Sequence, residues 1–128
     1  MFPIRETFFV YLHIFLFMQK RFSVVLLKSA RDFIFGLDIK TQTKIYSVLD
    51  KASYVNDPKL FKKIQNEIWE FRIQAKSLQI RLLAFWDKRN EEHTLVISTH
   101  GFVKKKDKVN KIEINKAIND RKQYFENQ

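Results

Sequence analysis

Arg72, Arg81 and His100 are the side chains of this chain best suited to chemistry on a phosphate. They fall in three short runs, EIWEFRI, QIRLLAFWDK and HTLVISTHGFVKKKDK, the last of which empties into Lys104, Lys105, Lys106 and Lys108. Guanidinium forks match phosphate oxygens. An imidazole is the one side chain that exchanges a proton near neutrality without help. Glu70 precedes Arg72 by two positions, as a second candidate base or as an arginine's ion-pair partner. Attack of a ribose 2′-hydroxyl on its neighbouring phosphate needs a base, an acid and positive charge on the transition state. It requires no metal. The bland reading of each residue stands beside this one: a hydrogen-bonded histidine at a strand end, a cross-strand ion pair, a solvated lysine loop.

These residues are far apart in sequence, so the elements carrying them must bring them together. In IWEFRI, Trp69, Phe71 and Ile73 alternate with Ile68, Glu70 and Arg72. In IRLLAFW, Ile80, Leu82, Ala84 and Trp86 alternate with Arg81, Leu83 and Phe85, which assigns both tryptophans to an apolar face. In TLVISTH, Leu95, Ile97 and Thr99 alternate with Val96, Ser98 and His100. Upstream, FSVVLL at 22–27 reads as a strand. Ser29 then offers a capping-box-like start to a short helix that Gly36 ends as a left-handed stop. Asp38 caps a second helix whose Ile45, Val48, Leu49 and Ala52 share a face. Asp57-Pro58 opens a further turn or two of helix through Leu60, Phe61 and Ile64, and Asn110 caps a last helix bearing Ile114, Ala117, Ile118, Arg121 and Phe125. The expected fold is α+β, in the order β-α-α-β-β-β-α. An antiparallel-rich sheet of about four strands has its helices on one face, leaving the other partly open for Glu70, Arg72, Arg81 and His100.

The formal charge of +10 on 128 residues is one-sided and points to a polyanionic or acidic partner. The absence of cysteine excludes disulfides, thiolate zinc sites and a cysteine nucleophile. His13, His93 and His100 have no metal-ligand spacing, and no cofactor is expected. Phe8 to Met18 is an apolar run too short to span a bilayer, which takes about 20 residues. Met18 is expected to begin the functional domain, 18–128, with no stable membrane association. Residues 1–17 would be an apolar extension from a misassigned start, against the rivals of a buried extra element or a weak membrane-surface anchor.

Trp69-Glu70-Phe71-Arg72, Ile80-Arg81-Leu82 and His100-Gly101-Phe102-Val103-Lys104-Lys105, followed by a closing helix ending in RKQYF, resemble the RelE/HigB-like toxins of bacterial type II toxin–antitoxin systems, in their phage-derived branch within the RelE/ParE superfamily. The resemblance runs from about Phe22 to Phe125. It implies a cytoplasmic, ribosome-dependent endoribonuclease that cuts messenger RNA by 2′-hydroxyl attack. Arg81, His100, Arg72 and Glu70 would be its catalytic candidates, and Lys104, Lys105, Lys106 and Lys108 its phosphate contacts. It also implies a cognate antitoxin, of helix-turn-helix type, as partner. The alternatives within the resemblance are a gyrase-inhibiting ParE-like toxin that does no chemistry, and a decayed toxin or basic nucleic-acid-binding module. Two departures mark the chain: Ile80 stands where related toxins carry tyrosine, and 106–110 replaces the usual link after the lysine pair.

Overall fold

The computed structural model describes residues 19–127; the expectations for 1–17, for Met18 as a boundary and for His13 lie outside that span. The fold is α+β, as expected. Strand β1 (Ser23–Leu26) leads into helices α1 (Lys28–Phe35) and α2 (Ile39–Tyr54). Strands β2 (Phe61–Gln65), β3 (Ile68–Ala75), β4 (Leu78–Asp87) and β5 (Leu95–Val103) follow, and helix α3 (Lys111–Glu126) closes the chain. The sheet order is β1-β5-β4-β3-β2. β2 to β5 form an antiparallel meander, while β1 joins the far edge parallel to β5, so the sheet is mixed.

The sheet has five strands rather than four. Phe61–Gln65, expected to be helical, is a strand, and only one turn, closed by Leu60 and Phe61 N–H bonds to the Asp57 carbonyl, follows Asp57. Phe61 stacks on Phe71 at 4.2 Å and on Trp69 at 4.9 Å. Burial of that ring between strands outweighs the local Asp-Pro signal. The sign of the extra hairpin is Asn66-Glu67, where both residues have positive φ, 48° and 65°, as a two-residue primed turn demands.

Helix starts divide between expectation and correction. Asp38 accepts from Thr41 N–H and Asn110 from Ile112 N–H, as anticipated. Ser29 caps nothing, because Leu27 occupies the cap position while its own N–H is still bonded to the Ser98 carbonyl. β1 therefore runs straight into α1. Gly36 is right-handed (φ −76°), not left-handed, since the chain turns through Leu37 N–H to Ile34 carbonyl before Asp38 begins α2.

The helices do not share one face of the sheet. α1 and α2 cover one side, where Ile34, Ile45, Leu49 and Ala52 pack on Phe71, Ile73, Ile80, Leu82 and Val96, with both tryptophans at the margin of the same cluster. α3 covers the opposite side, where Ala117, Ile118 and Phe125 meet Ile68, Leu83, Phe85 and Ile97. That second side was expected to be partly open. The apolar alternation of β4, Leu83 and Phe85 against Leu82 and Ala84, is what requires a cover on both faces. Among the described residues no helix is long and apolar enough to cross a membrane.

Candidate RNA-binding and cleavage site

The α3 side of the sheet carries the expected residues in two cross-strand rows. Arg72 on β3 pairs with Arg81 on β4, and Arg81 pairs with Phe102 on β5. One step along, Glu70 pairs with Leu83, and Leu83 with His100. Simple alternation would turn His100 the other way, together with Val96 and Ser98. A bulge intervenes: Leu83 faces His100 but the next residue, Ala84, faces Ser98, so Thr99 is inserted and the alternation resets. Val96 thus belongs to the α1–α2 core, whereas Phe102 belongs to the α3 core, 5.9 Å from the His100 ring.

Within this grid Glu70, Arg72 and Arg81 form one ion cluster. The Glu70 carboxylate lies 3.6 Å from Arg72 Nε and 3.6 Å from Arg81 Nε. Glu70 and Arg81 side chains are each only 5 % exposed, against 32 % for Arg72. Arg81 also donates to the Ile80 carbonyl at 3.0 Å and to Gln79 Oε1 at 3.4 Å. Burial pulls the Arg81 pKa down, with Glu70 opposing and Arg72 reinforcing the shift. The arrangement leaves Arg72 as the guanidinium that solvent reaches, with Arg81 and Glu70 beneath it.

His100 is not part of that cluster, because Leu83 stands between it and Glu70. Its Nδ1 lies 2.9 Å from Thr99 Oγ1, and its Nε2 lies 3.4 Å from Glu113 Oε2 on the first turn of α3. Burial lowers the His100 pKa first and nearby Lys116 lowers it further, while Glu113 and Asp120 pull it upward. A neutral imidazole is favoured, and it faces a carboxylate that is 26 % exposed. Glu113 was not anticipated. Its signal is positional, an acid three residues after the Asn110 cap at the positive end of a helix, but no spacing rule says which strand that helix lies on.

Lys104, Lys105, Lys106 and Lys108 leave β5 and line a groove of about 410 Å³, closed on its other side by Phe102, Ile112 and Glu113. Lys104 is half-buried, anchored by its N–H to the Gln79 carbonyl at 2.7 Å, and the other three lysines are exposed. The groove therefore joins the lysine loop to the His100–Glu113 pair. No group of three or more potential metal ligands occurs among the described residues. Trp69 and Trp86 lie on the opposite face, as anticipated.

No curated protein matches the sequence. One family does: the pattern described as phage derived protein Gp49-like (DUF891) matches residues 32–122, a stretch containing α2, all of β2 to β5 and most of α3. The chain accordingly belongs to the phage-derived Gp49-like family, a toxin-like family of toxin–antitoxin systems, in which a cognate antitoxin is the expected partner.

Proposed function

We propose that this protein is the toxin of a type II toxin–antitoxin pair and acts as a metal-independent endoribonuclease on messenger RNA at the ribosome. The observation that carries the reading is the gathering of Arg72, Arg81 and His100 on one sheet face that ends in the lysine groove. RNA phosphates engage Lys104, Lys105, Lys106 and Lys108, with Arg72 the further clamp. The Glu113 carboxylate, 26 % exposed, takes the proton of the 2′-hydroxyl as O2′ bonds to phosphorus and relays it to Nε2 of the buried, neutral His100 behind it. The P–O5′ bond breaks, and a lysine of the groove supplies the proton to the leaving oxygen. The products are a 2′,3′-cyclic phosphate and a 5′-hydroxyl. Glu70 and Arg81 position Arg72 rather than touch RNA, because both are buried. The cytoplasm is the compartment this substrate implies.

The test is induction of the protein in cells with messenger RNA ends mapped at nucleotide resolution. Translation-dependent cuts bearing cyclic phosphate ends, reduced at least tenfold by Arg81→Ala and by Glu113→Gln, are expected. DNA damage with intact messages would instead assign the chain to gyrase-inhibiting toxins, and unaffected growth to a decayed one.

A further inference from the structure

A second basic surface lies at the other end of the same strands. Trp86 follows Arg81 by five positions on β4, about 17 Å along the strand. There Trp69, Trp86 and Phe125 line a cleft of about 490 Å³ with Lys63, Lys88 and Arg121. That volume lies within the range of roughly 300–1,000 Å³ that takes a compact planar ligand. Lys88 Nζ sits 4.8 Å from the centroid of the Trp86 ring, and Arg121 Cζ 5.1 Å from that of Phe125. The two indoles meet edge to face at 5.6 Å. Two other cations of the lining are already engaged: Lys63 with Glu67 at 2.9 Å, and Arg89 with Asp87 at 2.7 Å. Lys88 and Arg121 have no carboxylate partner among the described residues; each rests on an aromatic ring instead. Four cations, Lys63, Lys88, Arg89 and Arg121, line the cleft against the single carboxylate of Glu67, so its net charge is positive.

We infer that this cleft is a second binding site for single-stranded RNA, holding a base against the aromatic rings and its phosphates on Lys88 and Arg121. Base stacking tolerates any sequence, and cations over aromatic faces serve planar π ligands and phosphates together. An acidic peptide would satisfy the charge but leave the rings without a planar partner. Ile112 and Glu113 at the start of α3 line the lysine groove and Arg121 and Phe125 near its end line this cleft, so one RNA strand lying along α3 would meet both. The inference rests on RNA being the ligand of the proposed activity, but not on RNA being cut.

Trp69 and Trp86 are the protein's two tryptophans, so its intrinsic fluorescence reports on this cleft directly. The full chain would be titrated with a short single-stranded 2′-O-methyl RNA, which has no 2′-hydroxyl to attack. Saturable quenching is expected. It should persist in Arg81→Ala and weaken at least tenfold in the Lys88→Glu, Arg121→Glu double variant, with unchanged circular dichroism confirming the fold. Absence of quenching, or equal quenching in the double variant, would overturn the site. Quenching by polyglutamate but not by RNA would overturn it in favour of an acidic protein segment. Loss of cleavage in Arg81→Ala is read separately from RNA fragments, so failure of the cleavage reading and failure of the cleft remain distinguishable.

Discussion

At the scale of single residues, the buried carboxylate of Glu70 decides how the arginines stand. Among the described residues it is the one anion within reach of both Arg72 and Arg81, and it shares Arg81's burial. Glu70→Gln leaves buried Arg81 with its two neutral acceptors and a like-charged neighbour but without its anion, and breaking a buried pair in this way costs about 3 kcal/mol. Urea unfolding should show that loss as a lower midpoint at unchanged slope. A cost below about 1 kcal/mol would mean that solvent already screens the cluster. His100 makes a different prediction. Its folded pKa is depressed below the ordinary 6.5, by burial first and Lys116 second. The unfolded chain then binds the proton more readily, so His100's contribution is complete above about pH 6.5 and is lost as pH falls through the folded value. Stability measured from pH 7.5 downward should decline over that window, and His100→Gln should flatten the decline. The carboxylates of Glu113 and Asp120 limit the size of the effect without reversing it.

At the scale of elements, the sequence made legible what is repeated and hid what is inserted. Alternation placed Glu70, Arg72 and Arg81 together because β3 and β4 pair without interruption from Trp69–Ala84 to Ala75–Leu78. His100 was expected on the arginine face and lies there, but parity grouped Val96 and Ser98 with it, and the bulge at Thr99 turns those two to the α1–α2 side instead. A single inserted residue has no composition signature, so the parting of His100 from Val96 and Ser98 could not be read from the chain. β2 was hidden for a related reason: its own bulge at Ile64 breaks the period of a five-residue strand. Cover by α3 was missed because an amphipathic helix announces an apolar face, not the side of the sheet it takes. Glu113, arriving with α3, was missed with it. Gly101, next to His100, shows how tightly β5 is held against α1. A Cβ there would lie 2.6 Å from Leu82 Cδ2 and closer still to the Phe33 ring. Gly101→Ala is therefore expected to cost about 1–3 kcal/mol through overpacking. Thermal unfolding measures it, and Phe33→Leu in the same chain should recover part of the loss by freeing the space.

At the scale of the whole molecule, the surplus of +10 is not spread evenly in its consequences. Buried Arg81 and the paired cations Lys28, Lys63, Lys76 and Arg89 have their charge answered inside the protein. The loop of Lys104 to Lys108 and the Lys88–Arg121 cleft do not, and these are the charges that a polyanion can exchange for its counterions. For single-stranded nucleic acid each phosphate neutralised contributes about 0.7 to the slope of log affinity against log salt. Four lysines at the groove then account for a slope of about 3. Replacing Lys105 and Lys106 by alanine should lower the measured slope by about 1.4 and weaken binding at low salt far more than at high salt. Replacing Lys28 and Lys76, which lie outside the groove, removes the same formal charge but should leave the slope within about 0.3 of its starting value, because neither meets the phosphates held there. Anisotropy of a labelled 2′-O-methyl RNA, titrated across a salt series, distinguishes the two pairs. Equal slopes for both double variants would show that net charge alone governs attraction and that the groove confers no position on the strand.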